Sequence, residues 1–170
     1  MKITNIIFAF LLANFGSFAQ CVCSGTGCDW TILESENTWD ATNINHYVQA
    51  GETVCIEGDA NGERNQLEII NLDGNVGNEI IVRPCNGLVT ISPSNSSVNY
   101  GIKFKNCKHF VFTGSGIPNE KFGIIIKHNK NREAISTKGR CKNFKIKDIG
   151  IINHNNIVKP YKVKYENTGI

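Results

Sequence analysis

The apolar residues of this chain fall in short runs that turn formers close off before they reach helical length. From residue 51 onward the runs are LEIINL (67–72), EIIVRP (79–84), LVTISP (88–93), GIKFKN (101–106), HFVFTG (109–114), FGIIIK (122–127), FKIKDIGII (144–152) and YKVKY (161–165). Asn, Gly, Asp, Ser and Pro separate them, which is the signature of strands and turns. No segment of helical period intervenes among these runs, which argues against a doubly wound α/β fold with its helix after each strand. Two all-β architectures remain, a sandwich and a parallel β-helix. The uneven spacing and the scarcity of two-residue hairpin turns, DGN at 73–75 being one candidate, favour the helix.

Asparagines mark the ends of these strands at Asn71, Asn106, Asn129, Asn153 and Asn155. Asparagine tolerates left-handed backbone, and its amides stack into hydrogen-bonded ladders when a corner repeats. The strand-and-corner pattern recurs loosely, at about 20–35 residues. Period two within the runs predicts Ile102, Phe104, Ile124, Ile126, Phe144, Ile146, Tyr161 and Val163 inward. It predicts Lys103, Lys105, Ile125, Lys127, Lys145, Lys147, Lys162 and Lys164 outward.

The start of the chain has a different character. Residues 1–19 carry Lys2, an apolar run from Ile6 to Ala13 and the small-x-small site Ser17-Phe18-Ala19, and read as a secretory signal peptide. The run is too short to span a membrane. A lipoprotein anchored at Cys21 is the alternative, with Gln20 a poor residue to precede it. Losing Lys2 takes the formal charge from +3 to +2, which implies no nucleic-acid partner. Residues 20–37 form a Cys-rich lead-in, and 38–170 form the strand domain. Thr38 or Asp40 can cap a short helix carrying Ile44, Tyr47 and Val48 and stopped by Gly51, so a capping helix is expected there.

All seven cysteines, Cys21, Cys23, Cys28, Cys55, Cys85, Cys107 and Cys141, follow the signal and are disulfide candidates in an exported chain. An odd number leaves at least one outside the internal pairings. Cys21, Cys23 and Cys28 have no histidine near, so a structural staple is preferred to a metal site.

The residues from Thr38 to Ile170, through AGETVCIEGDANGERNQLEI, GNEIIVRPCNGLVTI, GIKFKNCKHFVFTGSG and FGIII, resemble the N-terminal part of secreted right-handed parallel β-helix proteins of the pectin lyase type. The resemblance implies a solenoid whose N-terminal helix closes the core, and a polysaccharide partner. It admits calcium as a cofactor, although no acidic cluster of that kind stands in the sequence, and the residues themselves call for none. YKVKYENTGI ends without a closing cap, so the chain is read as the first coils of a longer protein.

The chemistry is less legible than the fold. His128 and His154 are separated by close to one coil of chain and would stack on neighbouring corners. Two histidines without a carboxylate make a poor metal set, and Asp148 and Glu133 have no evident register with them, so no metal ligands are assigned. Lys127, His128, Arg132, Arg140 and His154 are the catalytic candidates. Lys103, Lys105, Lys145 and Lys147 are the ligand-binding candidates, as a basic groove for uronate carboxylates or simply as a solvated face. Asp59, Asp73 and Asp148 are isolated, unlike the clustered carboxylates of glycosidases. Asn95-Ser96-Ser97 is a glycosylation sequon, read as a surface loop because the Asn, Ile and Lys richness is bacterial in character. The expectation is an exported or surface protein that binds, and as a lyase or glycoside hydrolase degrades, a polysaccharide. A non-catalytic carbohydrate-binding or adhesin-like β-helix is the alternative.

Overall fold

The computed structural model describes residues 27–58, 62–94, 99–127, 133–152 and 158–160. Those residues form thirteen strands and no helix. In chain order they are β1 (Trp30–Ile32), β2 (Thr38–Asp40), β3 (Thr53–Glu57), β4 (Leu67–Ile70), β5 (Ile80–Cys85), β6 (Val89–Ile91), β7 (Tyr100–Lys105), β8 (Lys108–Thr113), β9 (Ile124–Lys127), β10 (Glu133–Lys138), β11 (Lys142–Lys147), β12 (Ile149–Ile152) and β13 (Val158–Pro160).

The strands assemble into three sheets. Sheet I orders β1-β3-β5-β8-β11, sheet II orders β2-β4-β7-β10, and sheet III orders β6-β9-β12-β13. Every pairing is parallel except β12 with β13. From β5 to β12 the chain visits sheet I, then III, then II, and repeats, laying each strand beside the one it formed a circuit earlier. Stacked residues on sheet I run from Trp30 to Val54, Val82, Phe112 and Ile146, and the step between them lengthens at every circuit. That widening step is why the period is loose in the sequence.

The alternation expected of β7 and β9 is present. Ile102, Phe104, Ile124 and Ile126 are fully buried, while Lys103, Ile125 and Lys127 are only half-buried. The inward residues of all three sheets meet in one core that includes Ile32, Trp39, Val54, Ile69, Val82, Ile91, Phe104, Phe110, Phe112 and Ile149. Phe104 on sheet II reaches Phe110 and Phe112 on sheet I, with ring centroids 4.7 and 5.2 Å apart. Arg64 bridges Ile91 of sheet III, and its guanidinium takes the carbonyl oxygens of Leu33, Glu34 and Glu36, tying the second circuit to the first.

The expected capping helix is not there. Thr38–Asp40 is strand β2, and residues 41–50 are turns. The Asp40 carboxylate accepts the Thr42 N–H at 2.9 Å and the Asn43 side chain accepts the Asn45 N–H at 3.0 Å. These local bonds offer the backbone what a helix would have supplied, and short polar side chains win that competition. The presumed helical stripe is split, with Ile44 96% and Tyr47 62% exposed while Val48 packs into the core. The loop still covers an end of the core. His46 stacks on Trp39 of the edge strand β2 (4.6 Å, 13°) and lies 6.1 Å from Trp30 of the edge strand β1.

Cys28 and Cys55 form a disulfide, with Cys85 packed beside it. Cys107 and Cys141 are thiols. Cys21, Cys23, the signal segment, Asp59, the sequon, YKVKY and the corner residues Asn129, Asn153 and Asn155 lie outside the described residues.

Candidate functional site

The passage from sheet II to sheet I is built the same way on successive circuits. Asp40, Asn71 and Asn106 each follow the last residue of β2, β4 or β7 or end it, and the next residue, Ala41, Leu72 or Cys107, turns into the core and is buried. Asn71 and Asn106 have φ of 61° and 55°, the left-handed corner expected of asparagine. The Asn71 amide donates to Asp40 Oδ1 at 3.1 Å, and Asn106 Oδ1 accepts the Arg140 N–H at 3.3 Å. Burial works to raise the Asp40 carboxyl, but the Thr42 N–H and hydroxyl and the Asn71 amide outweigh it and hold it below the usual aspartate value. The corner column therefore begins on a firmly ionised carboxylate and continues as amides.

Cations flank the upper part of this column. Lys105 at the end of β7 pairs with Lys138 at the end of β10, and Lys108 at the start of β8 pairs with Lys142 at the start of β11. Residues paired across parallel strands stand about 4.8 Å apart. Arg140 lies between the two lysine pairs and is exposed, as are Lys138 and Lys142. Same-sign charges stacked in register destabilise a sheet. Asp73 relieves part of this repulsion, its Oδ1 lying 3.0 Å from Lys108 Nζ.

Below the cations, a cleft of about 390 Å³ opens between the corner column and the 42–50 loop. Thr42, Tyr47, Gln49, Asn71, Asp73, Asn75 and Asn106 supply its polar lining. Amides, hydroxyls and an exposed tyrosine ring are the groups that hydrogen-bond and stack against sugar rings, while lysine and arginine neutralise carboxylates or phosphates.

The residues singled out from sequence are scattered by the fold. Lys105 and Arg140 come to this corner. Lys103 sits one residue pair further back on β7, bonded to Glu68 at 3.0 Å and lying 4.2 Å over the Tyr100 ring. Burial opposes its charge, but the bonds to Glu68 and Tyr100 raise its pKa above the ordinary lysine value. Lys127 forms an ion pair with Glu63, and Lys145 and Lys147 stand further along β11 on sheet I. His128, Arg132 and His154 lie outside the described residues.

Lys108, Lys138 and Lys142 were missed, and a signal for two of them was present. NCKHF (106–110) and RCKNF (140–144) repeat Cys-Lys-x-Phe at one circuit's distance. His109 and Asn143, the x positions, share φ near 50°, at 49° and 52°, and their side chains lie 3.3 Å apart.

Calcium wants six to eight oxygen ligands, several of them carboxylates. Among the described residues, the group of side chains that lie close enough to share a metal ion is Cys28, Cys55 and Cys85, and these sulfurs are tied up in disulfide bonding and unsuited to calcium. No protein-family model matches this chain, and comparison with curated proteins and with solved structures returned no match.

Proposed function

We propose that this is an exported right-handed parallel β-helix protein of the pectin lyase-like type, and that it binds an acidic polysaccharide along the corner between sheets II and I. The cyclic visiting of three parallel sheets supports the β-helix reading, each circuit being one coil. The Cys28–Cys55 disulfide supports export to an oxidising compartment. The observation that carries the binding reading is the in-register stacking of like charges, Lys105 on Lys138 and Lys108 on Lys142, directly beside an amide-lined cleft. That arrangement costs stability in the free protein and is relieved by a polyanion lying across the coils. Uronate carboxylates suit it, with sugar hydroxyls reaching the Asn71, Asn106 and Tyr47 groups.

The test is affinity electrophoresis of the full chain in gels containing polygalacturonate, alginate or neutral dextran. Retardation by the two uronate polymers and not by dextran is expected, weakening as salt rises. Replacing Lys105, Lys138 and Lys142 together by Gln should weaken binding about tenfold, at roughly 0.5 kcal/mol per exposed ion pair. Equal retardation by dextran, or a triple variant that binds the uronates unchanged, defeats the proposal. Following absorbance from unsaturated ends in the same mixtures separates a lyase from a binding protein.

A further inference from the structure

Beneath the cationic corner lie two thiols that the polymer-binding reading does not use. Cys107 fills the inward position that Ala41 and Leu72 hold on earlier circuits, and it is fully buried. Cys141 holds the same position one circuit later and is only partly buried. Their chain neighbours fix the register, since Lys105 pairs with Lys138 before them and Lys108 with Lys142 after them. The two cysteines therefore occupy neighbouring rungs, about 4.8 Å apart. That separation falls within the roughly 4.4–6.8 Å between Cα atoms that a disulfide spans. The Cys107 N–H points at Cys141 Sγ from 3.4 Å, and the Lys142 N–H donates to the Cys107 carbonyl at 3.1 Å, locking the rungs together.

We infer that Cys107 and Cys141 form a thiol–disulfide exchange site for small anionic disulfides, with Cys141 the attacking thiol and Cys107 the resolving one. Three observations divide the roles. Cys141 has access to solvent and Cys107 has none, so an incoming disulfide meets Cys141 first. Lys138, Arg140 and Lys142 surround Cys141 in sequence and are exposed, giving carboxylates on the incoming molecule a place to sit. The third is the proton. The Cys107 side chain beside it, more than the backbone groups of Cys107, Lys138 and Asn106 that assist, holds the Cys141 thiol down at about 6 against the opposing effect of burial. The neighbouring Cys141 and its own burial push Cys107 up, keeping it protonated until it is needed. Cys141 Sγ lies 3.3 Å from the carbonyl oxygens of Phe104 and Lys138, and Cys107 Sγ lies 3.3 and 3.4 Å from those of Lys105 and Ile69, so each thiol has a backbone acceptor when protonated.

The exchange balances without any further reactant. The Cys141 thiolate attacks one sulfur of a small disulfide RSSR, the S–S bond breaks, and RS⁻ leaves. Cys107 then gives up its proton to RS⁻ and attacks Cys141 Sγ, forming the Cys107–Cys141 disulfide and releasing the second RS⁻. Two protein thiols are oxidised, and one small disulfide is reduced to two thiols.

Glutathione disulfide, which carries carboxylates, and cystamine, which is cationic, are the probes, applied to the full chain in the absence of reductant. Intact mass and non-reducing peptide mapping after acid quench should show loss of two hydrogens and a Cys107–Cys141 cross-linked peptide. The anionic probe should react faster than the cationic one. Cys107→Ser should trap a single mixed disulfide on Cys141, and Cys141→Ser should leave Cys107 unmodified. In the wild-type chain the rate should rise through pH about 6, because the thiolate is present above that value and lost below it. A wild-type chain that shows no Cys107–Cys141 peptide overturns the inference whatever the variants do. So does a rate that rises only above about pH 8.5, the range of an ordinary cysteine.

Discussion

Phe104→Ala is expected to lower the unfolding free energy by about 3–5 kcal/mol, the range for truncating a buried aromatic side chain. Phe104 sits mid-strand on β7 with no exposed surface, paired with Ile69 of the circuit before and Thr137 of the circuit after. Its ring crosses the core to Phe110 and Phe112 on sheet I, and Phe110 stacks in turn on Phe144 of the next circuit at 5.2 Å. Removing it opens a cavity where two sheets and three circuits meet, and the parallel strands around it cannot close inward without breaking register. Urea unfolding followed by tryptophan fluorescence measures the loss, and Trp39 stands on the same sheet as Phe104. Ile81→Ala is the control, because Ile81 lies on the outer face of β5 at 38% exposure and should cost about 0.5 kcal/mol. Equal losses for the two variants would mean that the sheets do not share one core.

The division between what the sequence disclosed and what it hid follows from the range of each interaction. Period-two alternation is local, so the inward faces of β7 and β9 were readable from GIKFKN and FGIIIK alone. Corner asparagines were readable because left-handed backbone selects few residue types, and Asn71 and Asn106 both adopt it. The parallel stacking was inferable only as an architecture, since register depends on circuit lengths that grow steadily along sheet I, from the Trp30–Val54 step to the Phe112–Ile146 step. The helix expected at residues 38–50 failed because period and capping signals do not weigh the Asx turns at Asp40 and Asn43 against helix formation. The site was hidden for the same reason as the register. Lys105 and Lys138 are a full circuit apart in the chain, and nothing local says that they stack while Lys103 meets Glu68. The repeated Cys-Lys-x-Phe was the sequence trace of its Lys108–Lys142 pair.

Gly114→Ala and Gly74→Ala should each cost about 3 kcal/mol or more, although neither residue needs left-handed backbone. A Cβ on Gly114 would fall 2.0 Å from the Asp148 carbonyl oxygen, and one on Gly74 would fall 2.1 Å from the His109 carbonyl oxygen. In each pair the glycine packs against the main chain of the following circuit, the Gly114 N–H donating to the Lys147 carbonyl at 3.1 Å and the Gly74 N–H to the Lys108 carbonyl at 3.1 Å. A methyl group there meets backbone, which cannot rotate away as a side chain can. The circuits must separate by about 1 Å, and overpacking at about 1–3 kcal/mol adds to hydrogen bonds stretched at about 1 kcal/mol each. Gly77→Asn is the comparison. Gly77 has φ of 76° with open space where a Cβ would go, and asparagine accepts left-handed backbone, so that variant should stay within about 1 kcal/mol of the parent. At about 2–4 °C per kcal/mol for a chain of this size, the alanine variants should melt about 6–12 °C lower or more, and the asparagine variant within a few degrees. Alanine variants that melt with the parent would show that the circuits are not packed backbone against backbone at these corners. The passage of the chain from one sheet to the next would then have to follow a wider path, one in which a side chain at position 74 or 114 finds room.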